Sequence, residues 1–316
     1  MRVDFGLPPR SATAEQRPVA LTIGNFDGVH RGHRRLLDAL LHNARDCGGE
    51  SVVLTFEPHP RCVLDPDNCP QQITTLDEKR DLLAAAGVDR LVVLEFTRTL
   101  SRWSAEHFCE QLLASFELSR LVVGHDFALG HKRQGDIAFL RDFGAGHGFE
   151  VITVGALEER GEVISSSRVR SALLSGELER ANRYLGYPFL LDAWVEHGEK
   201  VGRRLGFPTA NLAITPGKCL PARGVYAMWL RVQDEWHMAA TNVGYRPTFG
   251  GDRLTVEAYL LDFSADLYRQ RVRAAFVARL REERRYPDAE SLAAQIARDV
   301  EQTRRILARK AVPEGL

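Results

Sequence analysis

Apolar positions in the first half of the chain follow two alternating periods. Short continuous apolar runs at 19–23, 51–56, 90–96, 121–124 and 150–154 read as buried strands. Between them the spacing is helical: Leu36, Leu37, Leu40, Leu41 and Ala44 share one face. Thr75-Leu76-Asp77-Glu78 is a capping-box pattern that starts another helix, and Gly87 suits its stop. Ser104 is placed to start a helix over about 105–116, and a further one fits about 135–146. Repeated β–α units predict an α/β fold with a doubly wound parallel sheet.

The rhythm changes after about residue 183. Short strand-like runs follow at 194–197, 224–232, 237–243, 254–262 and 271–280, punctuated by Gly and Pro. That spacing predicts a small barrel or sandwich. A last helix is expected over about 288–307, where Leu292, Ile296 and Val300 stand four apart. The change falls between 175 and 187, which divides the chain into domains 1–183 and 184–316.

Composition narrows the function classes. The 316 residues suffice for two cores of ordinary size, and 44% hydrophobic with 27% charged residues describes a globular protein. Lys+Arg and Asp+Glu both number 42, so the formal net charge is zero and argues against a nucleic-acid partner. No apolar run approaches the roughly 20 residues of a membrane span. Residues 1–17 are polar, contain Pro8-Pro9 and lack a signal-peptide core. They read as a loose arm on a cytoplasmic protein. The five cysteines (Cys47, Cys62, Cys69, Cys109 and Cys219) form no Cys-x-x-Cys pair. Reduced thiols are expected, with no disulfide framework or zinc site.

The sharpest chemical signal is Gly24-Asn25-Phe26-Asp27-Gly28-Val29-His30-Arg31-Gly32-His33. It sits where a strand turns into a helix, the place where free N–H groups and the helix dipole receive phosphates. His30 and His33 stand about one helical turn apart, so both imidazoles can face one anion. The pattern His-x-Gly-His there is that of nucleotidyl transferases, both small-molecule enzymes and aminoacyl-tRNA synthetases. Zero net charge and the absence of a Lys-Met-Ser-Lys-Ser element favour the former.

Further candidates follow in order. His59 lies in the rigid turn Glu57-Pro58-His59-Pro60 and could reach a phosphate. Asp126 and Phe127 end another strand, with Arg133 nearby as a phosphate candidate. Ser165, Ser166 and Ser167 precede Arg168 and Arg170 at a helix start, where serines cap or hydrogen-bond a triphosphate and an Arg neutralises it. In the second half, Gly202-Arg203-Arg204-Leu205-Gly206-Phe207-Pro208-Thr209-Ala210-Asn211 makes a basic loop suited to a polyphosphate. Thr209 and Asn211 offer hard oxygen ligands for Mg²⁺. Glu257 alternates with Val256 and Ala258 on a strand and is either a general base or part of a solvated face.

Taken together, eight segments resemble, in order, the bacterial bifunctional riboflavin kinase/FMN adenylyltransferase (FAD synthetase) family. They are GNFDGVHRGH, TFEPHP, VVGHDFALG with Arg133 and Gly135, ISSSRVR, GRRLGFPTAN, NVGYRPTFGG, the Glu257 strand and DFSADLY. The resemblance implies an N-terminal Rossmann-like nucleotidyl transferase domain that makes FAD. It also implies a C-terminal six-stranded barrel, followed by a helix, that makes FMN. The implied substrates and products are riboflavin, FMN, FAD and ATP/ADP, with ATP as co-substrate and Mg²⁺ as cofactor. No nucleic-acid or membrane partner is expected, and the protein is expected to be a monomer or weak homo-oligomer. His30 and His33 match the residues that stabilise the transferring adenylyl group. Gly24, Asn25, Phe26, Asp27, Gly28, Ser166, Ser167, Arg170, Gly202, Arg203, Gly206 and Pro208 fall where nucleotide or phosphate binds. His59, Asp126, Phe127 and Arg133 fall at flavin positions. Thr209 and Asn211 match the Mg·ATP positions, and Glu257 matches the base for the ribityl 5′-hydroxyl. Two positions depart from many members: Tyr259 stands in place of His, and Ala128 in place of Arg or Lys.

Overall fold

The computed structural model describes residues 1–9, 17–198, 202, 206–248 and 251–315. They form two compact units, Met1–Pro70 with Lys79–Ser165, and Gln71–Glu78 with Ser166–Leu316. Among the described residues no helix is long and apolar enough to cross a membrane.

The first unit is built on six parallel strands: β1 (Arg2–Phe5), β2 (Val19–Ile23), β3 (Glu50–Glu57), β4 (Arg90–Glu95), β5 (Leu118–Gly124) and β6 (Glu150–Val154). Their order is β1-β4-β3-β2-β5-β6. The chain winds one way from β2 through β3 to β4, and the other way from β5 to β6. Adjacent β2 and β5 therefore mark the switch point, and a crevice opens beyond their carboxyl ends. Helix α1 (Arg31–Asp46) buries Leu37, Leu40 and Ala44 and packs on β2, β3 and β5. On the other face Leu21, Ile23, Leu54 and Val123 join Phe108 and Leu112 of α4 (Ala105–Ser115) and Leu140 of α5 (Ile137–His147). Burial of each such side chain contributes about 1.5–3 kcal/mol. Short α2 (Pro60–Leu64) follows β3, and β7 (Glu158–Glu159) pairs with β8 (Glu162–Val163).

Two expectations are corrected here. Residues 2–5 are not part of a loose arm: β1 extends the sheet alongside β4, and Arg90 Nε donates to Asp4 Oδ2 at 2.6 Å. A four-residue edge strand with Arg and Asp on it carries too little apolar pattern to declare itself. Cys62 and Cys69 are joined as a disulfide, because α2 and the short 3₁₀ turn at Pro66–Asn68 bring their Cα atoms to 4.3 Å. Cys47, Cys109 and Cys219 are free.

The second unit is a closed antiparallel barrel in the order β10-β13-β12-β11-β14-β9. Its strands are β9 (Phe189–Glu196), β10 (Ala210–Leu212), β11 (Gly224–Val232), β12 (Glu235–Thr248), β13 (Gly251–Leu260) and β14 (Arg271–Arg281). Closure through three-residue β10 leaves no edge strand. Helix α6 (Ser166–Leu174) leads into α7 (Leu178–Leu185), which packs on β9 and β14. Helix α8 (Ala289–Leu307) packs on β11, β12 and β14, capped by Asp288 through a 2.7 Å bond from Ser291 N.

Helix α3 (Leu76–Ala85) begins with the expected capping box. Thr75 N donates to Glu78 Oε2 at 2.8 Å, and Glu78 N donates to Thr75 Oγ1 at 3.3 Å. Glu78 belongs to the barrel unit, where its fully buried carboxylate pairs with Lys218 and its Oε1 accepts from Asp192 N at 2.8 Å.

Candidate active sites

In the first unit, β2 runs into a strained turn. Phe26 and Val29 have φ of 48° and 35°, and both are fully buried. A β-branched residue at positive φ costs about 1–3 kcal/mol and persists only where its surroundings over-determine it. Gly28 supplies the other left-handed position at φ 82°. The turn is held by Val29 N donating to Phe26 O and by Gly24 N donating to Leu54 O of β3.

The turn delivers His30 to the N-cap of α1. Its Nδ1 accepts from His33 N at 3.2 Å, which leaves the ring proton on Nε2. The His30 and His33 rings stack at 3.7 Å between centroids and 13° between planes. Phe26 flanks His33 at 5.1 Å. Burial lowers the His30 pKa to about 4 against the opposing charge of Asp27. The His33 pKa lies well below the ordinary range through burial, reinforced by His30 and Lys79. His33 Nδ1 is buried with no hydrogen-bond partner. The site thus presents neutral imidazoles, able to donate N–H bonds, at a helix start with no acidic residue in its first turn. A Cβ at Gly32 would come within 3.1 Å of the His30 ring, so glycine permits the stack.

The other expected residues are placed as follows. Asn25 Nδ2 lies 3.2 Å from His59 Nε2, and Thr55 Oγ1 donates to Asn25 O at 3.2 Å. His59 also caps α2 by accepting from Arg61 N. Asp27 is buried. Asp126 follows β5, where Arg133 Nη2 donates to its carbonyl at 2.7 Å; Phe127 packs against the core. Ser166, Ser167 and Arg170 lie on α6 in the second unit, and Arg170 Nε donates to Gln71 O at 2.6 Å.

The barrel carries a separate constellation. Asn211 of β10 is the register partner of Glu257 on β13, and Asn242 of β12 flanks Glu257 on its other side. Two cavities adjoin this row. One, of about 490 Å³, is lined by Gly198, Pro208, Thr209, Asn211 and the segment from Phe263 to Tyr268. The other, of about 270 Å³, is lined by Gly202, Thr209, Asn242, Glu257, Tyr259 and Tyr286 among others. Thr209 borders both. A Cβ at Gly198 would lie 2.1 Å from Asn211 Nδ2, so backbone and amide approach there as only glycine allows. Gly202 likewise closes on Phe207 O, and Gly206 takes φ 84°. Arg203 lies outside the described residues. Tyr259 meets Phe207 edge-on at 5.3 Å.

Three site residues were not singled out from sequence. Arg281 and Asp299 line the smaller cavity and join β14 to α8 by a forked pair, with Nη2 to Oδ2 at 2.7 Å and Nε to Oδ1 at 3.0 Å. No sequence periodicity links them. Lys79 lies buried on α3 near His33. Its signal was a charge on the helix's apolar stripe, three and four residues before Leu82 and Leu83.

Comparison with known proteins gives a consistent picture. A family model described as FAD synthetase matches residues 12–168, and one described as riboflavin kinase matches 185–307. A protein of Escherichia coli K12 named bifunctional riboflavin kinase/FMN adenylyltransferase is 38% identical over 288 residues, 90% of this chain and 92% of its own. One of the same name from Listeria monocytogenes is 36% identical over 92% of each chain. A solved structure titled macrolide-efflux protein from Streptococcus pneumoniae superposes with a TM-score of 0.87, at 29% identity, over 96% of this chain and 99% of that one.

Proposed function

The chain belongs to the bifunctional riboflavin kinase/FMN adenylyltransferase family, and from that membership we propose which residues carry each reaction. The enzyme phosphorylates riboflavin with ATP to FMN, then adenylylates FMN with a second ATP to FAD, releasing pyrophosphate. We assign adenylylation to 1–183 and phosphorylation to 184–316.

In the kinase reaction the ribityl 5′-oxygen attacks the γ-phosphorus, ADP leaves, and the hydroxyl proton passes to Glu257. The observation that carries this reading is the Asn211–Glu257–Asn242 row beside two cavities with Thr209 between them. The larger cavity suits ATP and the smaller one, with its aromatic and apolar walls, suits the flavin. Among the described residues no three His, Cys, Asp or Glu side chains form a metal cage. Mg²⁺ that arrives with ATP fits this donor set: Thr209 and Asn211 supply neutral oxygens, and the phosphates supply the charge. Gly202, Arg203, Gly206 and Pro208 would enclose the polyphosphate.

In the adenylyl reaction an FMN phosphate oxygen attacks the α-phosphorus and pyrophosphate leaves. No covalent enzyme intermediate is needed, so positioning and electrostatics dominate. Neutral His30 and His33 would donate N–H bonds to the charge that develops on the transferring group. Gly24, Asn25, Phe26, Asp27, Gly28, Ser166, Ser167 and Arg170 would hold nucleotide; His59, Asp126, Phe127 and Arg133 would hold flavin. We place the enzyme in the cytoplasm on its demand for ATP, as a monomer or weak homo-oligomer without nucleic-acid partners. In that compartment the Cys62–Cys69 pair meets a reducing thiol pool.

The test is direct. Incubation with riboflavin, ATP and Mg²⁺ should yield FMN and then FAD on chromatography. Omission of Mg²⁺ should stop FMN formation. Accumulation of FMN alone would remove the adenylyl assignment.

A further inference from the structure

Lys79 is an unusual residue to find inside a fold. It is 5% exposed, on the buried side of α3. Among the described residues its one hydrogen bond is a 3.4 Å contact from Nζ to Thr55 Oγ1, and no carboxylate of those residues pairs with it at ion-pair distance. An ammonium has three protons to place, and a buried one without a full set of partners costs several kcal/mol. Such a group is kept where its charge has work to do.

We propose that Lys79 is a positioning residue for adenylyl transfer, acting through Thr55 on the Asn25 turn and through its charge on the stacked imidazoles. The first route is a chain of contacts. Thr55 is fully buried, accepts from Lys79 Nζ and donates its hydroxyl to Asn25 O, at the start of the strained turn that carries Asp27 and His30. The second route is electrostatic. Lys79 is close enough for its charge to oppose protonation of His33; burial lowers the Lys79 pKa, and Asp27 and Glu57 oppose that fall. Together with burial of the rings, this favours neutral N–H donors and leaves a positive charge near them for an incoming polyphosphate to meet. The proposal rests on the assignment of His30 and His33 to this reaction.

The charged and titratable groups around the pair are Asp27 of the turn, Glu57 at the end of β3, Lys79 of α3 and His59 at the start of α2. Arg31 on α1 is tied to Glu159. Replacing Lys79 by a neutral residue removes a repulsion and leaves Asp27 and Glu57, so both effects make the imidazoles easier to protonate. The acid limb of activity must then move to higher pH.

The experiment measures FAD formation from FMN and ATP between about pH 3.5 and 9 with the full chain, so that the range spans the His30 pKa of about 4, alongside FMN formation from riboflavin as an internal control of folding. Lys79→Met should lower kcat for FAD formation at least about tenfold and raise the acid limb by about half a pH unit or more. Lys79→Arg should keep the acid limb at its wild-type position. A folded Lys79→Met enzyme with an unmoved acid limb, or with kcat within twofold of wild type, overturns the proposal. If Lys79→Met does not fold, Thr55→Val decides: it keeps the charge and the shape but cuts the bridge. It should lower kcat at least about threefold with the acid limb in place, and wild-type turnover would sink the idea. His33→Ala tests the underlying assignment separately. If that variant still makes FAD, the histidine assignment fails whatever Lys79 does.

Discussion

Asn211 and Glu257 face each other across the β10–β13 ladder, so the amide and the carboxylate occupy neighbouring places on one barrel wall. Register alone brings together residues 46 positions apart in the chain. A riboflavin hydroxyl is a poor nucleophile at neutral pH, and a positioned base is worth about 10²–10⁴ in rate. Glu257→Gln keeps shape and polarity but cannot take the proton. It should lower kinase kcat by that order with ATP affinity nearly unchanged. Asn211→Ala should instead weaken Mg·ATP binding. Neither should alter FAD formation from supplied FMN. Near-wild-type kinase turnover in Glu257→Gln, with product release shown not to limit the rate, would remove Glu257 as the base.

The stacked histidines belong to the other unit and should answer for the other reaction. His33→Ala should reduce FAD formation from FMN by about 10²–10³, the usual effect of losing one donor to a developing charge. FMN formation from riboflavin should continue at the wild-type rate. Loss of both activities in a folded variant would contradict separate sites, and steady-state kinetics with each flavin decides it.

Local pattern made the candidate turns readable. The glycines and histidines of residues 24–33, the Thr75–Glu78 capping box and the apolar runs of β2, β6 and β11 all express themselves within a few neighbouring positions. Strand β10 did not, because three residues show no period, and it is defined by closing the barrel between β9 and β13. The Arg281–Asp299 pair depends on how α8 lies over β14. Lys79 was legible only as an anomaly, a charge on an apolar stripe. Tyr259 is now explained in part, since its ring packs on Phe207 at the wall of the smaller cavity.

Buried neutral His30 should make the first unit acid-sensitive. Its pKa is about 4 in the fold against about 6.5 when unfolded. The unfolded chain therefore binds the extra proton first as pH falls, and stability rises with pH across this window. The contribution is complete above about pH 6.5 and is lost progressively towards pH 4, on the order of 3 kcal/mol in all. Urea unfolding at pH 7 and pH 4.5 should show a loss in wild type that is smaller in His30→Asn. Equal losses in both proteins would assign the acid sensitivity to other groups.

The barrel unit contains a buried ion pair. Glu78 and Lys218 both have fully buried side chains. Lys218 Nζ also donates to Ile73 O at 2.7 Å and lies 4.9 Å from the Phe189 ring centre. Glu78 meanwhile accepts from the Asp192 and Thr75 amides. Removing one partner of such a pair strands the other charge and costs about 3–5 kcal/mol, whereas replacing both with neutral groups costs far less. Glu78→Gln removes the charge and leaves one accepting oxygen where two backbone amides donate, so it should destabilise the unit by at least about that amount. Adding Lys218→Met to Glu78→Gln should recover a large part of the loss. Urea unfolding followed by fluorescence of Trp194 and Trp229, both on barrel strands, gives the three stabilities. Additive losses in the double variant would show that the two charges do not stabilise each other.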